Sequence, residues 1–273
     1  MDVSNTLIYD GKLKCGNYQV ASRTLQLPHL DAGLRSMHEQ SNCSFIQSKD
    51  CWLKSVLDPT RKVVFVDTDE MKCKESRPLG SFLQNEGEAQ LIYQVTETLL
   101  KSGLDEQDLA VVSVYRSQLR VISQLLKSRK SIEIATIDKY QGRDKDCVLI
   151  SLVRNNNQGN AGDLLRDWRR LNVAITRAKS KLVLFGSAST LKASALYSRL
   201  LDSFETKGWI YRLPANAEIL HTQQEQAALP DQDENNRTSA VATKEKKSPK
   251  AFLPTNAILK KNDILQDLYN NAL

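Results

Sequence analysis

The sequence predicts an α/β fold: an open, mostly parallel sheet with helices on both faces, followed by a disordered carboxyl-terminal tail. Three observations predict it. Apolar runs such as Lys62-Val-Val-Phe-Val66 and Cys147–Val153 are continuous rather than alternating, which suits strands buried on both faces. Stretches with apolar residues at helical spacing separate those runs, the order that builds strand–helix–strand units. Beyond Pro214 the chain turns polar, with Glu218, Glu225, Asp231, Asp233 and Glu234 ahead of the lysine-rich run 244–250, and holds too little apolar material for a core.

Residues 1–16 form a lead-in segment, in which Thr6–Cys15 reads as a hairpin or strand–turn unit around Asp10-Gly11. Residues 17–60 lack periodicity, carry scattered Cys, His and Trp, and read as an irregular insertion. Residues 61–214 are the domain proper, and 215–273 the tail. After the first buried strand, Asn85 opens a helix by capping its free amides, with Glu88 placed to reach back as in a capping box. Ile92, Val95 and Leu99 continue that helix and Gly103 ends it. A strand at Ala110–Val114 follows, then a helix through Leu119, Ile122 and Leu126, and a strand at Ile132–Ile137. A polar loop leads to the strand Cys147–Val153, the helix Asp167–Arg177 and the strand Lys181–Phe185. A helix at Ala195–Thr206 and an edge strand at Trp209–Tyr211 complete the series. In open parallel sheets, polar groups at the carboxyl ends of strands converge on one crevice. Tyr115-Arg116, Gln141–Asp144 and Gly186-Ser187 are expected there.

The net charge of +6 and pI near 9.0 lean toward a polyanionic partner. Between Leu164 and Lys181 the basic residues Arg166, Arg169, Arg170, Arg177, Lys179 and Lys181 face one acid, Asp167. Such a stretch suits a solvated helix face as well as a polyanion contact. The five cysteines, Cys15, Cys43, Cys51, Cys73 and Cys147, are odd in number and widely spaced, which matches neither a zinc site nor a disulfide framework. No metal ligand is expected, and free thiols point to a reducing, intracellular compartment. No apolar run reaches the length of a membrane span, about 18 residues, and the first residues lack the basic flank and apolar core of a secretory signal.

Two clusters carry the chemistry. A guanidinium such as that of Arg177 is a fork of donors that stays charged at any relevant pH and suits a terminal phosphate. Gly142 permits a backbone conformation closed to other residues, Gln141 can hydrogen-bond a phosphate or water, and Asp144 can accept from a ribose hydroxyl. Arg143 is as well suited to a structural ion pair with a neighbouring acid. Thr136, Lys139 and Arg116 are candidates for contacting a nucleic-acid backbone, with Tyr115 either stacking on a base or packed in the core. No Gly-x-x-x-x-Gly-Lys-Ser/Thr phosphate cradle occurs in the sequence.

Over about residues 5–214 the sequence resembles superfamily 1B helicases. TIDKYQGRDKDCVLISLVRNN corresponds to helicase motif V and DWRRLNVAITRAKSKLVLFG to motif VI, with Asn85-x-x-Glu88-Ala89 upstream. YDGKLKCG and the GRDK form of the loop make it similar to the eukaryotic ATP-dependent helicase/nucleases of DNA replication and repair. The resemblance implies a second RecA-like domain (P-loop NTPase-type), with Gln141, Gly142 and Asp144 at the nucleotide and Arg177 as the arginine finger. It implies 5′-to-3′ movement on single-stranded DNA and flaps, driven by ATP with Mg²⁺ shared with a first RecA-like domain. The partners it implies are single-stranded DNA, the first RecA-like and nuclease domains of the same enzyme, and a single-stranded-DNA-binding protein; a membrane is not among them. An iron–sulfur cluster belongs to the family's nuclease domain, and none of the five cysteines is assigned to it. The nucleus is the implied location, with the mitochondrion also used by the family. The absent Walker A and B motifs make the chain a fragment or a stand-alone half-motor, inactive alone. Two alternatives are a nonenzymatic nucleic-acid-binding module and the second domain of a related RNA helicase.

Overall fold

The computed structural model describes residues 2–5, 12, 14, 16–39, 41, 43, 51–71, 74–78, 80, 82–140 and 142–221. Most of the hairpin expected at Thr6–Cys15 (residues 6–11, 13 and 15), Gln141, and the tail from residue 222 onward lie outside these described residues. The chain opens with the short helices α1 (Asp2–Ser4), α2 (Tyr18–Ser22), α3 (Leu30–Glu39) and α4 (Trp52–Leu57) before β1 (Val63–Asp67). Next come α5 (Glu86–Lys101), β2 (Leu109–Ser113), α6 (Arg116–Leu125), β3 (Glu133–Thr136) and β4 (Lys145–Ser151). Then follow α7 (Asp163–Arg166), α8 (Trp168–Ile175) and β5 (Ala178–Gly186). The described chain ends with α9 (Ala188–Lys192), α10 (Ala195–Thr206), β6 (Ile210–Arg212) and α11 (Ala217–Leu220).

The six strands form one sheet in the order β3-β2-β4-β5-β1-β6, and every neighbouring pair is parallel. Alternate residues of each central strand face opposite cores. Val64, Val66, Val111, Leu149 and Val183 join α4, α5 and α6 on one face. Phe65, Val112, Ile150 and Leu184 join α8, α9 and α10 on the other. Burial on both sides explains the continuous apolar runs, and each such side chain stabilises the fold by about 1.5–3 kcal/mol. This is the RecA-like α/β architecture expected from the sequence.

The longest helix, α5, begins and ends as its sequence dictates. Asn85 Oδ1 accepts from the Glu88 amide at 3.0 Å. At the other end Gly103 has φ +97°. Its amide donates to Leu100 O at 3.0 Å and the Leu104 amide to Leu99 O at 3.1 Å, the paired bonds of a glycine-terminated helix. The capping box does not form. Glu88 turns inward and accepts from Ser151 Oγ at 2.8 Å and from the Val153 amide at 3.1 Å. The Asn85 amide that a capping box would use is itself buried and donates to Gln118 Oε1 at 2.8 Å, which leaves Glu88 to the donors at the end of β4.

The described residues of the segment 17–60, expected to be irregular, include three helices. The α3 helix crosses the end of α5 at Gly33, where an added Cβ would stand 2.4 Å from Ser102 Oγ. The polar tail begins later than residue 215, because Asn216 turns the chain at φ +63° into α11 and Ala217 is buried against the α5 face.

Candidate nucleotide and nucleic-acid sites

The sheet separates the predicted site residues into two groups. Ser113 and Thr136 are register partners at the carboxyl ends of β2 and β3. Thr136 is therefore brought beside Tyr115 and Arg116, which follow β2 and start α6. Lys139 lies on the turn after β3, where its amide donates to Thr136 O at 3.0 Å, and both Arg116 and Lys139 are exposed. Tyr115 is half-buried and its hydroxyl is hydrogen-bonded with Arg154; burial raises its pKa above the ordinary phenol value.

The second group stands at the opposite rim. Asp144 immediately precedes β4 and Arg177 immediately precedes β5, and Lys145 pairs with Ala178 in register. The expectation that Gln141–Asp144 shares a crevice with Tyr115-Arg116 is therefore corrected for Gly142–Asp144, Gln141 lying outside the described residues. Between β3 and β4 lie only eight residues, 137–144, and in a parallel sheet they must carry the chain from one rim back to the other. Tyr140, buried in the core, anchors that return. Along β4 the two rims are about 20 Å apart.

At this amino-terminal rim the guanidinium of Arg177 meets Asp144 Oδ1 at 2.9 Å, with 25% and 50% of the two side chains exposed. Arg177 Nε donates to Val173 O at 3.2 Å and an Nη to Thr176 Oγ1 at 3.2 Å, so the end of α8 aims the group. Gly142 is exposed at φ +82°, and an added Cβ would meet nothing within 4 Å; conformation rather than space makes glycine suitable. Arg143 pairs with Glu133, which also lies 3.7 Å from Lys145. The donors here suit phosphate and ribose. They do not suit Mg²⁺, since the neighbouring carboxylate, Asp144, is engaged by Arg177.

The basic stretch Arg166–Lys181 is less available than its composition implies. Arg166 pairs with Asp163, Arg170 with Asp138 and Arg177 with Asp144. Lys181 is buried inside β5, where its Nζ donates to the carbonyls of Asp58 at 2.8 Å and Arg61 at 2.7 Å. Burial lowers its pKa to about 8.

One network at the carboxyl-terminal rim went unrecognised in the sequence. Val153 has φ +70°, a left-handed conformation that costs a β-branched residue about 1–2 kcal/mol. Its amide is held by Glu88 and its carbonyl by Asn85 Nδ2 at 3.3 Å. The next residue, Arg154, is buried with Glu75 in an ion pair of 2.9 Å, at 7% and 13% side-chain exposure. The asparagine run 155–157 directly after an apolar strand was the available signal.

A family model described as an AAA domain matches residues 1–189, well over half of the 273 residues. The chain belongs to this family. The AAA-domain chain is 42% identical over 217 residues to "DNA replication ATP-dependent helicase/nuclease DNA2" of Saccharomyces cerevisiae, covering 79% of this chain and 14% of that protein. The protein of that name in Mus musculus is 43% identical over 217 residues, covering 79% and 20%. Its counterpart in Homo sapiens is 39% identical over 216 residues, again covering 79% and 20%. The AAA-domain chain thus spans a fifth or less of the relatives it matches. Among the described residues no helix is long and apolar enough to cross a membrane.

Proposed function

We propose that this chain is the second, carboxyl-terminal RecA-like motor domain of an ATP-dependent 5′-to-3′ DNA helicase/nuclease that acts on single-stranded DNA and flaps in the nucleus. Arg177 is the arginine finger, reaching the γ-phosphate of ATP held by a first RecA-like domain. Gln141, Gly142 and Asp144 meet the same nucleotide, while Thr136, Lys139, Tyr115 and Arg116 contribute to the DNA track. Mg²⁺ is held by the first domain, and the nuclease domain carries the iron–sulfur cluster.

The observation that carries this reading is the Asp144–Arg177 pair. A guanidinium that is three-quarters covered, aimed by the end of α8 and latched by one half-exposed carboxylate is already directed and can exchange that partner for phosphate. A single, partly solvated pair of this kind contributes about 1 kcal/mol, so the exchange costs little. Desolvated against a triphosphate, the same group stabilises charge that develops during phosphoryl transfer. The separation of the two groups by the length of β4 supports a domain that relays nucleotide state to the track.

In the complete enzyme, Arg177→Ala is expected to lower ATP turnover by about 10³-fold or more while single-stranded DNA binding persists. Turnover close to that of the unaltered enzyme would remove the arginine-finger assignment. The isolated chain is expected to hydrolyse no ATP, and comparing stimulation by DNA with that by RNA distinguishes the two helicase classes.

A further inference from the structure

Four side chains that the motor reading leaves unused converge in the buried region behind β6. His38 is in the last turn of α3, Cys43 in the following segment, Cys51 at the start of α4 and His221 at the end of α11. All four residues are buried, and one ligand atom from each lies within 4.8 Å of the other three. His38 Nε2 and His221 Nε2 approach the same Cys51 sulfur, at 3.1 Å and 3.4 Å. Cys43, Cys51 and His221 also line a cavity of about 260 Å³ with Trp52, Tyr211 and Leu220. We propose that His38, Cys43, Cys51 and His221 bind one structural zinc ion.

The donor set and its packing both favour that cation. Two imidazoles and two thiolates form a tetrahedral zinc shell with bond lengths of about 2.0–2.3 Å, which sets the ligand atoms about 3.3–3.8 Å apart. The quartet already approaches this spacing. Two thiolates also cancel the charge of Zn²⁺, so the assembled site is neutral where a bare charge would be costly. Hydrogen bonding can link part of the cluster, since the Cys51 thiol can donate to one imidazole and accept from the other's N–H, but a single bound cation draws all four donors to one point. A four-iron cluster is a poor fit, because it calls for four thiolates and Cys147 is buried in β4, away from this group.

The ion would tie α3 and α4 to α11, joining chain segments 170 residues apart at the lateral edge of the sheet. That gives the region 17–60 a role in holding the domain together rather than in the reaction. Its surroundings include Trp52, whose ring meets His221 edge-on at a centroid distance of 5.8 Å.

The test is metal analysis of the full 273-residue chain purified without chelator. About one zinc per chain is expected, with Cys51→Ser and His221→Ala each falling below about 0.1 and Cys147→Ala unchanged. Removal of the metal is expected to lower Tm. Should the ligand variants not fold, cobalt substitution of the unaltered chain decides, since an S₂N₂ tetrahedral site gives thiolate charge-transfer and intense visible bands. Substoichiometric zinc with no such cobalt spectrum overturns the proposal. So does an intact mass two hydrogens light, with Cys43 and Cys51 joined as a disulfide.

Discussion

The two rims of the sheet hold their functional groups in opposite ways. At the amino-terminal rim Arg177 and Asp144 are partly solvated and linked by one ion pair at the surface. At the carboxyl-terminal rim Glu88, Val153, Arg154 and Glu75 are sunk into the fold and bound several times over. The difference separates groups that must change partners from groups that must not. A weak surface pair can be traded for a ligand, whereas a buried ion pair and a backbone held at φ +70° fix the shape of the segment after β4, from which Arg154 reaches the Tyr115 hydroxyl at the end of β2.

The sharpest way to break this comparison is to remove one cation from each rim. Arg177→Ala should reduce ATP turnover of the complete enzyme by about 10³-fold, whereas Arg116→Ala should weaken single-stranded DNA binding and lower its salt slope by about one. Equal effects of both changes on both assays would abolish the proposed division of labour. Arg154→Ala removes the cation from the half-buried Glu75 carboxylate, which keeps its bonds from the Asn155 amide and Asn156 Nδ2, and urea titration should find about 1–3 kcal/mol lost. A loss below about 1 kcal/mol would mean that the carboxyl-terminal rim is no stiffer than the other.

Glu88 supplies a pH-dependent version of the same test. Burial raises its pKa from 4.5 to about 8, outweighing the bonds from Val153 and Ser151. The folded state therefore binds more protons than the unfolded one between these values, and Glu88 makes stability fall as pH rises from about 4.5 to about 8. Thermal melts of Glu88→Gln should have a shallower slope than the unaltered chain across that window; an identical slope would remove Glu88 as its source. The smallest effect belongs to Asp144→Asn, which should change stability by less than about 1 kcal/mol in the isolated chain.

Much of the architecture was legible because it depends on local chemistry. Continuous valine and leucine runs require a sheet covered twice, Asn85 requires a helix start, and Gly103 a helix stop. The pairing of Arg143 with an acid was also open to the sequence, and Glu133 fulfils it. What escaped depends on where the chain travels between elements. Residues 142–144 follow one strand and precede another, and only the brevity of the connection shows that they belong to the start of β4. Lys181 reads as a surface charge until the carbonyls of Asp58 and Arg61 are seen to close over it. His38, Cys43, Cys51 and His221 were unreadable as a set, because the last member comes 170 residues after the third. Glu88 occupied the right position for a capping box, and a tertiary partner on β4 won it away.

The order of strands has a further consequence for handling the molecule. Among the described residues the sheet terminates on its two shortest members, β3 with four residues and β6 with three. Arginines 143 and 212 stand at these margins, paired with Glu133 and Glu205. Short, charged borders offer a neighbouring copy little backbone to dock against. Concentrated solutions of the folded chain should accordingly resist stacking into fibrils, and light scattering should stay flat as concentration increases.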